Sequence, residues 1–493
     1  MQKCSAKKLE SIKFILWSPL LILLIFVTAV VWPLLKVVQT IVSCVIKINI
    51  GNEYNGLLKG SDLVMGCNIW QYSFPNILLV VEYNKTIAKK TVYEKIQIKI
   101  SDIVQKMPLT ESNLDEHELM RLLRKCSSKP LPLDGTALWD IQVGTQPLKW
   151  KRITESNVEY YPVLVRIHHG MTDGASLLKH FQSFFDEETN RNISKPDVFA
   201  HLQPNGLKTI WNHFRTVFLC TSALYTCLFL RGHDENDLHG KPFVKDALFQ
   251  FFTDDDGIYL KKVKNIKRMH GNVSFSDILI AAYSASLNEY YQKYSPSCPE
   301  SITIGIPVVT NYAQLIDIAS GRINVKDIDM SNNFLSFQMY LPINISKDQD
   351  FNHESQAISR LNIIRKISTK MKSTTQHQFN YILVDKILGC LPAWAVQTFL
   401  TSIHYTTAGS FLPGPSKISF GNGAVAVSNC FFWIPHMMQL GIGFGTLTFN
   451  DQLQMGLSCN GQIDDQSRVD EILKNVCKHI DLIEQELESK KKK

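Results

Sequence analysis

The segment from Tyr161 to Gly174 constrains the fold more than any other stretch of this 493-residue chain. Its first part carries Val163, Leu164, Val165 and Ile167, a β-branched and apolar run that predicts a buried strand. Its second part, His168-His169-Gly170-Met171-Thr172-Asp173-Gly174, sets two imidazoles, a carboxylate and two glycines at the strand's exit. Beyond them Ala175, Leu177, Leu178, Phe181, Phe184 and Phe185 recur at helical spacing, and Thr172 or Asp173 is placed to cap that helix. The chain must therefore pass from sheet to helix through one tight turn, which Gly170 and Gly174 allow. Side chains alternate across a strand, so His168 and His169 are expected to diverge, one toward a cleft and the other toward the supporting structure.

An imidazole titrates near neutrality and can take a proton from an alcohol or thiol at cellular pH, which a carboxylate of ordinary pKa does poorly. One of the two histidines is thus a candidate general base, with Asp173 a candidate for fixing its tautomer and the local backbone. Their divergence argues against a metal site built from His168, His169 and Asp173. A bland alternative, strand-end histidines followed by an ordinary Asp-Gly turn, stands beside it on this segment alone. No Gly-x-Ser-x-Gly elbow, Walker loop or Gly-x-Gly-x-x-Gly strand–helix site occurs, so the sequence offers no rival of those kinds.

The pattern from His168 to Gly174 resembles the His-His-x-x-x-Asp-Gly signature of the CoA-dependent acyltransferase superfamily, in which the second histidine is the catalytic base. Further segments resemble the wax ester synthase/diacylglycerol acyltransferase (WS/DGAT) family, in that family's order. Pro132-Leu133-Asp134 with Leu138-Trp139 is similar to the segment that precedes the histidines, with Ala137 where the family has proline. Ser276-Asp277-Ile278-Leu279 resembles its Asn-Asp motif on a helix start, and Asn332-Asn333-Phe334 running into Leu341-Pro342 resembles the strand that opens its C-terminal domain. Phe411-Leu412-Pro413-Gly414-Pro415 is similar to its Asn-Val-Pro-Gly-Pro loop, and Leu453 to Leu457 to a late hairpin. Ser276 and Phe411 replace two of the family's asparagines.

The resemblance implies an α/β protein of two chloramphenicol-acetyltransferase-like domains meeting at a central channel, preceded by an N-terminal membrane segment. The corresponding division is a membrane anchor at 1–50, an N-terminal acyltransferase domain at 51–200, a connector at 201–245 and a C-terminal acyltransferase domain at 246–493. The implied activity is membrane-bound O-acyl transfer from acyl-CoA, a co-substrate, to a fatty alcohol or diacylglycerol, forming wax ester or triacylglycerol. No bound cofactor or metal is expected. His169 is then the base, His168 and Asp173 orient and support it, and Gly170 and Gly174 form the turn. A rival from another class is a membrane-tethered lipid-binding or transfer protein with the same fold, favoured by Ala137, Ser276 and Phe411. The glycerolipid acyltransferases share the spacing of His168 and Asp173, but their Gly-Thr block follows the histidine, whereas Gly135-Thr136 precedes it.

Length exceeds what one ordinary core supports, and 45% hydrophobic with 20% charged residues is a globular composition. The net charge of +7, with 45 acidic residues among the basic ones, argues against nucleic acid while suiting anionic lipid or the phosphates of CoA. Eleven cysteines without a Cys-x-x-Cys pair point to reduced thiols in a cytosol-facing body.

Phe14 to Leu35 is free of charge, with Trp17 and Trp32 near its ends, and predicts a retained bilayer segment longer than a signal peptide's apolar region. A second apolar run, Val37 to Ile46, follows Pro33, so a helical hairpin dipping into one leaflet competes with a single span. Lys3, Lys7, Lys8 and Lys13 place the N-terminus in the cytosol, and a hairpin returns the body there, where acyl-CoA is found. Lys490 and Lys491 resemble a dilysine retrieval signal, which directs the expectation to the endoplasmic reticulum, with the plasma membrane as alternative. The sequons at Asn84, Asn192, Asn272 and Asn344 are then expected to stay unmodified. In the connector, uncharged Thr216 to Leu230 reads as a buried or interfacial helix.

Overall fold

A computed structural model describes residues 2–54, 56–58, 60–66, 74–86, 92–94, 103–110, 113–131, 137–150, 157–174, 176–177, 234–239, 247–254, 256–309, 331–332, 334–345, 355–373, 380, 382–401, 405–414, 418–420, 424–435 and 440–492. Thr216 to Leu230 and all of the expected connector except residues 234–239, the Pro132-Leu133-Asp134 segment, Asn192 and the helix pattern from Leu178 to Phe185 lie outside them.

Among the described residues, the apolar runs assemble into two mixed six-stranded sheets. Strands β1 (Asn76–Asn84), β2 (Val104–Lys106), β3 (Trp139–Val143) and β4 (Val158–Ile167) come from the N-terminal half, followed by β5 (Leu248–Thr253), β6 (Ser301–Val309) and β7 (Phe334–Pro342). The C-terminal part adds β8 (Thr407–Pro413), β9 (Ser419–Phe420), β10 (Val425–Trp433), β11 (Ile442–Phe449) and β12 (Gln452–Cys459). The first sheet runs β2-β3-β4-β1-β10-β9 and the second β5-β12-β11-β8-β6-β7. Two strands from the C-terminal part thus complete the first sheet, with β10 antiparallel to β1, Trp433 opposite Asn76 and Val425 opposite Tyr83.

The strand expected from Tyr161 to Ile167 is the last part of β4, which lies between β1 and β3 with Leu164 opposite Leu78 and Ile167 opposite Trp139. Alternation sorts its side chains. Val163, Val165 and Ile167 join a core with Ile77, Leu79 and Leu447, while Leu164 joins a separate core with Leu78, Leu123 and Trp433.

Around the sheets lie α1 (Gln2–Ile50), α2 (Gly60–Gly66), α3 (Glu116–Ser127), α4 (Ile258–His270), α5 (Phe275–Tyr294), α6 (Gln356–Ser373), α7 (Ala393–Thr401) and α8 (Gln466–Lys492). The Ser276-Asp277 segment opens α5 through a reciprocal cap: Ser274 Oγ accepts from Asp277 N at 3.1 Å, and Asp277 Oδ2 accepts from Ser274 N at 2.8 Å. The amphipathic C-terminal pattern is α8, whose Val469, Ile472, Val476 and Ile480 pack with α5 and the second sheet. Asn450 and Asp451 adopt φ of 50° and 57°, the two left-handed positions of a tight hairpin between β11 and β12.

The hairpin considered at Pro33 does not form. Helix α1 runs on through Pro19 and Pro33, and both sides of Pro33 are tied to the body. Trp32 Nε1 donates to the Lys386 carbonyl and Gln39 Nε2 to the Gly389 carbonyl, each at 2.8 Å. A proline costs a helix one donor and a local clash, which such flanking contacts offset. By length and composition α1 is long and apolar enough to cross a bilayer, and Ile15, Leu16, Leu20, Leu23, Phe26 and Val30 are exposed on it.

Candidate active site

The turn after β4 is held from three sides. His168 N extends the ladder to β3 by donating to the Leu138 carbonyl at 2.7 Å, so the Leu138-Trp139 segment contributes backbone rather than side-chain chemistry. Met171 N donates to the His168 carbonyl at 3.0 Å and closes the turn, and Gly170 N donates to His168 Nδ1 at 3.2 Å. At Gly170 a side chain has no room, since a Cβ would stand 2.9 Å from the Gly66 Cα at the end of α2. Asp173 Oδ1 then accepts from Ser176 N at 2.8 Å, the cap geometry expected for the start of a helix.

Beneath the turn, Arg166 and Asp140 form an ion pair in which both side chains are only 1% exposed. Arg166 Nε donates to Asp140 Oδ1 at 2.9 Å, and Nη1 reaches the carbonyls of Cys126, at 3.0 Å, and Lys129. The guanidinium lies 5.9 Å from the centre of the Phe74 ring, which stands 6.2 Å from the His168 ring. His168 therefore rests on the supporting side of the sheet.

His169 faces the other way, into a cavity of about 280 Å³. Both sheets line it, with Ile77, Ile167 and Phe432 from the first and Phe334, Leu412 and Leu447 from the second. Leu383, Val384, Leu388, Phe399 and Leu400 form a further apolar wall, and polar groups such as Ser61, Thr172, Asp173 and Gln338 interrupt it. Asp173 and Gly174 line the cavity with His169, and Leu412 Cδ1 would be 3.1 Å from a Cβ placed on Gly174.

The ring of His169 meets Asn332, two residues before β7. Its Nδ1 lies 3.0 Å from Asn332 Oδ1, while Asn332 Nδ2 donates to the His169 carbonyl at 2.7 Å. Asp62 Oδ1 on α2 accepts from both Asn332 N, at 2.7 Å, and Asn332 Nδ2, at 3.0 Å. Ser61 Oγ completes the anchor by donating to the Asn332 carbonyl at 2.7 Å. Phe334 flanks the imidazole, with ring centres 5.5 Å apart.

Burial pulls the His169 pKa below the ordinary imidazole value, although its own carbonyl, the Asp173 carboxylate, Asn332 and the Thr172 carbonyl all favour the charged ring. His168 is likewise lowered, first by burial and then by the neighbouring His169. Both imidazoles are thus neutral near pH 7, and a neutral imidazole on a mainly apolar wall can accept a proton. Cys430 also lines the cavity, but burial pushes its thiol up to about 12, so it is not a ready nucleophile. Burial raises Cys459 as well. Among the described residues no group of three or more His, Cys, Asp or Glu is placed to hold a metal ion.

The five residues singled out in the turn remain together, with His169, Asp173 and Gly174 on the cavity wall and His168 and Gly170 behind it. Ser276 and Phe411 are not among the lining residues: Ser276 Oγ lies 3.1 Å from Ser274 Oγ at the cap, and Phe411 packs edge-on to Phe444 at 6.1 Å. Sequence reasoning missed Ser61 and Asp62, and it named Asn332 only as a strand opening. The sole signal was the Asn332-Asn333 pair beside a strand.

Residues 330–481 match the WS/DGAT C-terminal domain family. No curated protein matches the chain by sequence. Among solved structures, the wax ester synthase/diacylglycerol acyltransferase of Marinobacter aquaeolei VT8 is similar at 13% identity and a TM-score of 0.53, over 87% of this chain and all of that one. The trichothecene 15-O-acetyltransferase of Fusarium sporotrichioides is similar at 12% identity and a TM-score of 0.56, over 86% of this chain and 93% of that one. The first condensation domain of the CDA synthetase is similar at 11% identity and a TM-score of 0.52, over 87% and 95%. The chain thus carries a WS/DGAT C-terminal domain on the two-sheet α/β fold shared by WS/DGAT and condensation-domain proteins.

Proposed function

We propose that this protein transfers a long-chain acyl group from acyl-CoA to the hydroxyl of a fatty alcohol or diacylglycerol, with His169 as general base. The observation that carries the reading is His169 itself, a half-buried imidazole shifted toward neutrality on the wall of a mainly apolar cavity between the two sheets. His169 removes the hydroxyl proton as the oxygen attacks the thioester carbon. The tetrahedral intermediate collapses with cleavage of the C–S bond, and the departing CoA thiolate takes the proton back from the imidazolium. No acyl-enzyme is needed, so the protein contributes the base and the joint positioning of two substrates. The Asp173 carboxylate favours the imidazolium that forms between these steps.

An apolar cavity suits acceptors whose hydroxyl rides on a hydrocarbon body. The exposed apolar surface of α1 favours a bilayer as their source. The test is to give purified membranes carrying the protein labelled acyl-CoA and a panel of alcohols. Labelled wax ester or triacylglycerol is expected; absence of any ester, with labelled lipid retained on the protein, would favour a lipid-binding or transfer protein instead.

We place the body on the cytosolic side of the endoplasmic reticulum, where acyl-CoA is available. With α1 unbroken, this requires that its N-terminal lysines cross the bilayer or that the helix lies along the surface. Asn272 and Asn344 are exposed and so would be open to glycosylation in the lumen. Glycosidase treatment of the natural protein is expected to leave its mobility unchanged, and a shift would place the body in the lumen.

A further inference from the structure

The geometry points to Asn332, fixed by Asp62, as the positioning residue that sets the tautomer of His169. This rests on the reading of His169 as the base. A side-chain amide can turn over in place, exchanging its oxygen and nitrogen, and only its neighbours decide which way it faces. Here the Asp62 carboxylate and the His169 carbonyl both offer only acceptors to one end of the amide, and both are met by Asn332 Nδ2. Reversal would set Asn332 Oδ1 against two oxygens. The other end therefore presents Oδ1 to His169 Nδ1, where it accepts and so requires a proton on Nδ1. Nε2 is left with its lone pair, the form a base needs.

The anchor draws on three separated parts of the chain: the turn after β4, the short helix α2 and Asn332, two residues before β7. Ser61 Oγ and Asp62 Oδ1 fix the Asn332 backbone on both sides, through its carbonyl and its N–H, so its side chain is aimed rather than merely close. Besides Asn332, the titratable groups bearing on His169 are His168 and Asp173 from its own turn and Asp62 from α2, while β7 offers the apolar ring of Phe334.

Asn332→Ala, Asn332→Asp and Asp62→Asn, in the full-length membrane protein, separate positioning from packing when kcat, KM for acyl-CoA and the pH profile of kcat are read together. Asn332→Ala is expected to lower kcat by roughly 10- to 100-fold, the scale seen when a histidine loses an orienting partner, with KM little changed. Its acidic limb should move to lower pH, because a contact that favours the charged ring is gone. Asn332→Asp should move the limb to higher pH, since a carboxylate against Nδ1 holds the proton more tightly. A role confined to packing would reduce kcat in both without moving either limb.

Unchanged kcat and limbs in these variants, alongside an inactive His169→Ala, would overturn the positioning role and leave the base intact. An active His169→Ala would instead remove the base, and this inference with it. Should both substitutions at 332 prevent folding, Asp62→Asn decides alone, because it preserves shape but frees the Asn332 amide to reverse. A fall in kcat without a change in KM is expected there, and a wild-type profile would overturn the role.

Discussion

The cavity face of β4 carries Val163, Val165 and Ile167 and leads into His169, whereas its other face carries Leu164 and the buried Arg166 and leads to His168. The two faces are one residue apart in sequence and differ in what they tolerate. On the cavity side the proposed base, His169, keeps a lone pair on Nε2 in the tautomer that Asn332 favours. On the supporting side every guanidinium donor group is engaged by Asp140 or a carbonyl at the end of α3. A single strand can thus carry the proposed base on one side and a saturated ion pair on the other.

The largest expected effect belongs to the cavity face. His169→Ala should reduce ester formation by ~10² to 10⁴ while the protein stays folded, since the loss of a general base falls mainly on rate. Activity near wild type would break the division between the faces.

The supporting face predicts the reverse pattern. Arg166→Leu leaves Asp140 buried without its partner and should cost about 3–5 kcal/mol of stability, whereas pairing it with Asp140→Leu should recover much of the loss. Chemical denaturation of the two variants measures this. Specific activity per folded molecule should fall much less than in His169→Ala.

Asp173 sits where the two kinds of work meet, and its variants sharpen the comparison most finely. Asp173→Asn can still cap the following turn but carries no charge, so kcat should fall with little change in melting temperature. Asp173→Ala loses the cap as well and should cost a further ~1 kcal/mol. Equal stability in the two would remove the capping role assigned from the Ser176 contact.

The turn was legible because its chemistry is contiguous: seven residues at the end of an apolar run declare a strand, a divergence of side chains and a cap. Asn332 and Asp62 stand 163 and 107 positions from His169, and a contact over such a separation leaves no periodicity to read. β1 is an apolar run from Ile77 to Val81 whose neighbours cannot be inferred locally, and its partner β10 comes from the far end of the chain. The Pro33 hairpin failed for a related reason. Proline chemistry is local, but the contacts that carry α1 past it, Trp32 to Lys386 and Gln39 to Gly389, are not.

The placement of β10 beside β1 also governs how the protein can be made. Tyr83 finds its partner Val425 only after about 340 further residues have been synthesised, some tens of seconds at ~5–20 residues per second. Throughout that interval one edge of β1, with Leu78, Leu79, Val80 and Val81 along it, has no strand to pair with. The nascent N-terminal half is therefore an open template for mispairing, and the same delay leaves the cavity without the wall that Cys430, Phe432 and Trp433 provide. The cavity wall is not complete until β10 and β11 have left the ribosome.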